Sequence, residues 1–393
     1  MRKKGLGANP PAWRRRCMQV LVAAAACAAG TVWAVQDCDI GGEAVNPANG
    51  NTTQGRTGLM RCRDRDSGQV VREQELQNGR FMGIVRYFTD GRLVREHTVN
   101  ERGNMQGRAR EFGPTGQVVR DATYENGTQV GLSRSFHPNG QLQRATFYGP
   151  QGELAHAEFT ARGDLRGLRC GDKPLLAPAA DDARWCGFST KPSQVQFMAE
   201  NGTVRARASY VAGKRVRYES YQDNGQLAQQ EEVNATTRIE RNFGPDGNKR
   251  REMQWALNGT QQVREREQEF AASGTMTRER RWTGGELASE QTFYLNGQPR
   301  TKARYTQSGA TRMLEMQEFY DNGVPASEGS YVDTGRYAPT PVGSHRQFDP
   351  QGRVKAESVY DMRGRITRER AWDASGTLVR DDEVFEDGSR KRR

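Results

Sequence analysis

Along most of this chain an aromatic residue stands four positions before a glycine, and an apolar residue stands two positions after it. The figure is clearest near the carboxyl end. Phe348, Gly352 and Val354 are followed at twelve-residue steps by Tyr360, Gly364 and Ile366, and by Trp372, Gly376 and Leu378. Earlier copies include Tyr87, Gly91 and Leu93; Phe112, Gly116 and Val118; Phe136, Gly140 and Leu142; and Tyr221, Gly225 and Leu227. Between them, mostly Arg, Glu, Gln and Thr alternate with apolar residues, a period of two that predicts short strands separated by glycine turns. Repetition of this kind predicts an all-β fold: an elongated, twisted array of antiparallel β-hairpins forming one single-layer sheet. Roughly two dozen strands at about 4.8 Å each would span on the order of 100 Å.

Turn chemistry says how each hairpin should close. Asn or Asp precedes glycine at Asp90-Gly91, Asn139-Gly140, Asn224-Gly225 and Asn322-Gly323, among others, which signals hairpins. Pro114, Pro138, Pro150, Pro245 and Pro350 stand two before the glycine, where a type I turn favours their fixed φ and leaves glycine the left-handed bulge position. The expectation is a type I turn with a glycine bulge throughout. The residues four before and two after each glycine then face each other: Tyr87 with Leu93, Tyr148 with Leu154, Phe159 with Leu165, Phe270 with Met276. Val354 to Tyr360 and Ile366 to Trp372 are six-residue steps, an even number, so all these pairs are expected on one face and polar residues on the other. Lys249, Gln261, Pro299 and Pro325 take the aliphatic place in four copies and predict edge-like or distorted hairpins.

This figure, plainest from Tyr221 to Leu227, resembles the bacterial variant of the MORN repeat over about residues 60 to 390. Proteins of the YwqK antitoxin family are built of such units. The resemblance implies a hairpin-repeat architecture and says little about activity; one role it suggests is that of an immunity or antitoxin-type inhibitor.

Composition divides the chain further. Residues 1–34 read as a secretory signal: a basic start through Arg16, an alanine-rich run from Cys17 to about Gly30, and Val32-Trp33-Ala34 as a cleavage site. The apolar run is also long enough for an uncleaved membrane anchor. Lipoprotein and twin-arginine patterns fit less well. Each option places the chain in the periplasm or cell envelope. Residues 35–60 read as a loose lead-in, 61–167 as an amino-terminal hairpin array, 168–193 as an irregular insertion, 194–389 as a carboxy-terminal array, and 390–393 as a frayed basic tail.

Cysteine usage supports export. Outside the signal, Cys38, Cys62, Cys170 and Cys186 remain, an even number that predicts disulfides. The local pairing, Cys38 with Cys62 and Cys170 with Cys186, is preferred over the other two connectivities, each bridge contributing about 3 kcal/mol. Absence of a Cys-x-x-Cys pair speaks against zinc.

Only 34% of the 393 residues are hydrophobic, too few for two compact cores but suited to a thin array. The net charge of +11 is partly a targeting effect, since Arg2, Lys3, Lys4, Arg14, Arg15 and Arg16 precede any acid. The remaining Arg/Glu mixture reads as a solvated face, so no nucleic-acid partner is expected.

Candidate chemistry is sparse. His97, His137, His156 and His345 share no spacing and read as surface residues. No nucleophile, metal or phosphate-binding motif stands out. The expectation is a non-enzymatic exported scaffold with no catalytic, metal or cofactor-binding residues, binding a protein partner through its polar sheet face or the 168–193 insertion. Envelope lipid or polysaccharide is the alternative partner. The oligomeric state is left open.

Overall fold

The computed structural model describes residues 36–393 apart from 190, 336 and 337; the signal or anchor expected at 1–34 lies outside the described residues. The described residues form two open antiparallel sheets, of 12 and 17 strands, instead of one continuous sheet. The first runs from Gln36–Ile40 to Leu165–Arg169 and the second from Ser193–Met198 to Arg390–Arg392, almost every strand pairing with its neighbours in sequence.

Two kinds of turn close most of the hairpins. One is the bulged type: Gln222 N donates to the Gln226 carbonyl and Gly225 N to the Gln222 carbonyl, both at 2.8 Å, with Gly225 at φ 80°. It sets Tyr221 opposite Leu227, Phe112 opposite Val118, Phe136 opposite Leu142 and Phe348 opposite Val354. The other is a two-residue loop, and it corrects several expected pairs. Asp90-Gly91 has positive φ at both residues, so Phe88 faces Leu93 while Tyr87 faces Arg95. Pro150 and Gln151 alone connect Gly149 to Gly152, so Tyr148 faces Glu153 and Leu154 is left exposed. Gln261 closes such a loop with Asn258, which sets Trp255 against Arg264. Lys249, Pro299 and Pro325 keep regular register opposite Phe243, Phe293 and Phe319. They are the first strand residues after the turn, beside a bulge, where a missing N–H is tolerated.

The aromatic residues do not share one face. Phe348 pairs with Val354, but the next pair is Gln347 with Ala356, so Lys355 is an extra residue. Such a bulge inverts the alternation. Tyr360 therefore falls on the face of Gln347 and His345, opposite Phe348, and the next bulge returns Trp372 to Phe348's face. Across the second sheet this sorts the rings. Tyr221, Phe243, Phe270, Phe293, Phe319, Phe348 and Trp372 lie on one face, here the front, beside one long edge. Trp255, Trp282, Tyr305, Tyr331 and Tyr360 lie on the back, beside the other edge.

Turns on the front-row edge are tied to each other. Asn224 Nδ2 donates to the Pro245 carbonyl at 3.0 Å, Asn248 to Ala272 at 3.0 Å, Asn296 to Asp321 at 2.7 Å and Asn322 to Pro350 at 3.3 Å. Tyr294 and Tyr320 hydroxyls reach the Phe319 and Phe348 carbonyls, each at 2.7 Å. The asparagine that favours the turn thus also staples it to the next hairpin.

Among the described residues, most of the buried apolar side chains gather in three clusters. Cys38, Val45, Met60, Cys62 and Leu76 form one at the start. Here Cys38 faces Cys62 across paired strands and is bonded to it. The lead-in is therefore not loose: Gln36–Ile40 and Glu43–Val45 are strands, and Gly50–Thr53 is a helical turn capped by Asn49.

The other two clusters flank the irregular segment. Leu176 and Ala180 pack on Ala145, Ala155, Ala157 and Phe159 of the first sheet. Trp185 packs on that cluster and also against Val195, Phe197, Ala206, Ala208 and Tyr210 on the back of the second sheet. The Cys170–Cys186 disulfide closes the segment. The buried Asp182 carboxylate accepts from Leu175 N at 2.7 Å and Leu176 N at 3.1 Å. Gly213 N donates to the Cys186 carbonyl at 2.8 Å.

Elsewhere, acids between arginines take the place of a core. Asp121 lies between Arg108 and Arg134, Glu96 between Arg86 and Arg110, Glu231 between Arg215 and Arg238, and Glu357 between Arg346 and Arg370. Glu267, 3% exposed, sits between Arg251 and Arg280. Long arginine stems cover backbone while their heads saturate a carboxylate on the adjacent strand. At the end of the chain, Arg390–Arg392 is a paired strand and not a frayed tail, with Arg390 on Glu369 at 3.0 Å.

Candidate interaction faces

On the back of the second sheet each ring carries a cationic or aromatic neighbour. Arg238 lies 4.8 Å from the Trp255 ring centroid, Arg264 5.0 Å from Trp282 and Arg312 4.4 Å from Tyr305. His345 stands edge-on to both Tyr331 and Tyr360 at 4.8 Å, and its Nε2 lies 2.8 Å from the Ser330 carbonyl. Gly329 makes room for it, since a Cβ there would strike the imidazole. The rings are half-buried. Burial, helped by Glu290 and Asp333, pushes the Tyr305 hydroxyl above its ordinary pKa, and burial does the same at Tyr331.

The front row differs in chemistry. It is mainly phenylalanine, with Lys249 4.5 Å from the Phe270 centroid and Lys302 4.9 Å from Phe319. Beside it, from the strand Glu286–Phe293 to the strand Thr340–Phe348, the same face forms a groove of about 750 Å³. Gln291, Lys302, Arg304, Glu315, Gln317 and Arg346 line it. Arg346 is held by Glu328 and Glu357, each at 3.5 Å. Among the described residues, Lys302, Arg304 and Glu315 form no ion pair, although Arg304 and Glu315 are register partners.

Three of the triad carboxylates, Asp121, Glu96 and Glu357, are held in the charged form. Burial pushes Asp121 up, and hydrogen bonds from Arg108 and Arg134 outweigh it, leaving the pKa below its ordinary value. Glu96 and Glu357 are likewise held down, against burial, Glu96 by Arg86 and Arg110 and Glu357 chiefly by Ser344 and Arg370.

The insertion reads differently in the structure than in the sequence. Leu176, Asp182 and Cys186 are fully buried, so residues 168–193 act as a wedge between the sheets. Nor are the histidines all surface residues: His97 is 7% exposed and stacks on Tyr87, and His137 Nε2 lies 2.9 Å from the Phe159 carbonyl. Among the described residues no group of three or more His, Cys, Asp or Glu could hold a metal ion, and no helix is long and apolar enough to cross a membrane. The back row and the triads were missed in the sequence; the signal for both was present, in the alternation of ring type and in arginines thirteen residues either side of Asp121.

Two stretches match the MORN repeat variant: residues 129–148 and 314–333. The first MORN-like stretch holds Phe136 and its bulged turn. The second holds Phe319, its turn and Tyr331, and so touches both faces described above. No curated protein matches the chain. Among solved structures, a chain of the TcdB2-TccC3-Cdc42 crystal structure is similar at 10% identity and a TM-score of 0.14, covering 85% of this chain and 20% of that one. TcdB2-TccC3 without its hypervariable C-terminal region gives 9% identity and a TM-score of 0.18, covering 85% and 18%. This chain thus spans a fifth or less of their length, and at such scores the likeness carries no argument.

Proposed function

We propose that the chain is an exported, non-enzymatic repeat scaffold of the cell envelope that binds a protein partner through the back face of its second sheet. The observation that carries this reading is the row Trp255, Trp282, Tyr305, Tyr331 and Tyr360, with Arg238, Arg264 and Arg312 stacked on it. Trp, Tyr and Arg dominate the energetics of protein interfaces, whereas the equivalent places on the front hold mainly Phe. The MORN-like repeat is a type generally used in protein and membrane interaction. Two disulfides support a site of action in an oxidising compartment.

The test is affinity capture from an envelope extract with the chain from Val35 onward. W282A/Y305A should lose the partner retained by the intact chain and by a front-face variant, K249A. Equal capture by all three overturns the reading.

A further inference from the structure

The front groove is on the opposite face from the proposed protein-binding row, and its chemistry is of another kind. Lys302 and Arg304 are exposed, lie two residues apart on one strand and point to the same side. Gln291 and Gln317 flank Lys302 as its register partners on either side, and Glu315 flanks Arg304. Together they offer cations, amide donors and acceptors, and a carboxylate acceptor with no ion-pair partner among the described residues. A carboxylate ligand would be satisfied by the cations alone; the amides and Glu315 add sites for neutral hydroxyl and amide groups.

Shape and period narrow the ligand further. The groove crosses five strands, about 19 Å at the ~4.8 Å strand spacing. Phe293 and Phe319, one side-chain step along from Gln291 and Gln317 on the same face, recur every second strand, roughly 9.6 Å apart. That period is commensurate with the disaccharide repeat of an extended β-1,4-linked glycan, whose apolar ring hydrogens can lie against aromatic side chains at the side of the groove.

We propose that this groove binds an extended, carboxylate-bearing β-1,4-linked glycan lying across the strands, with Lys302 and Arg304 on its carboxylates, Gln291, Gln317 and Glu315 on its hydroxyls, and Phe293 and Phe319 along one side of its sugar rings. An acidic protein segment is the competing occupant.

Calorimetry with the chain from Val35 onward tests this with β-1,4-linked mannuronate hexamer as probe, cellohexaose as the uncharged glycan and polyglutamate as the acidic peptide. The hexamer should bind about tenfold more tightly than either control, and K302E/R304E should weaken it at least about tenfold. Q317A, which keeps the charge, should also weaken the hexamer while leaving polyglutamate unchanged. Circular dichroism melts establish that the variants are folded, as expected for exposed positions. No hexamer binding at low salt overturns the proposal, as does hexamer affinity unchanged in K302E/R304E. Polyglutamate binding as tightly as the hexamer overturns it in favour of an acidic protein ligand.

Discussion

Phe159 and Trp185 meet with ring centroids 5.9 Å apart and planes tilted by 56°, and through that contact the irregular segment grips the first sheet while Trp185 also packs on the second. W185A should therefore loosen both sheets together, costing about 3 kcal/mol in a chemical melt. Hydrogen exchange should rise at Ala155 and Ala157 and at Ala206 and Ala208 alike. Protection lost in one sheet alone would contradict a shared wedge.

Acid should unfold the array through the triads. Asp121, Glu96 and Glu357 have pKa values held below their ordinary ones. A depressed folded pKa contributes stability that is complete above the unfolded value, about pH 4 to 4.5, and is lost as pH falls through the folded value. The melting temperature should thus decline below about pH 4.5. In D121N/E357Q the acid limb should be shallower and stability at pH 7 lower; an unchanged limb would show that the triads do not govern it.

Gly213 has a positive φ of 79°, and a Cβ there would collide with the Gly171 carbonyl oxygen. G213A should cost more than about 1 kcal/mol, the ordinary backbone penalty, because the wedge must also shift. G225A is the control: its φ is similar but no atom lies near its Cβ position, so it should cost only the backbone strain. Equal losses in urea melts would remove the close approach from the account.

Bulges, by this structure, set which face each ring occupies. Deleting Lys355 should remove the bulge yet keep Gln347 opposite Ala356 and Tyr360 on the back, whereas one residue inserted after Ala356 should carry Tyr360 to the front and separate it from His345, destabilising the carboxyl-terminal hairpins. K355G keeps the extra residue and should leave the His345 ring signals in NMR near their original shifts. Identical His345 signals for the insertion and the parent would sink this reading.

Hairpin period, glycine turns and facing pairs such as Phe112 with Val118 were legible because strand alternation and turn chemistry are local: they depend on residues a few positions apart. Fine phasing was not. Whether Asp90-Gly91 closes as two residues or within a longer bulged loop depends on how neighbouring strands twist and pair, and that choice moved Leu93 from Tyr87 to Phe88.

What the sequence by itself determined is the repertoire: short amphipathic strands, turn glycines, too little apolar mass for a globular core, and cysteines close enough in the chain to pair locally. What only the tertiary structure decided is orientation. Each bulge adds one residue to a strand, and with a side-chain period of two a single residue exchanges front for back, so Phe348 and Tyr360 part company although their spacing is even. The same holds for residues 168–193, whose irregular composition suggests an exposed loop: two sheets converge on Leu176 and Trp185 from distant stretches of the chain, and burial of that kind is set by what arrives from elsewhere.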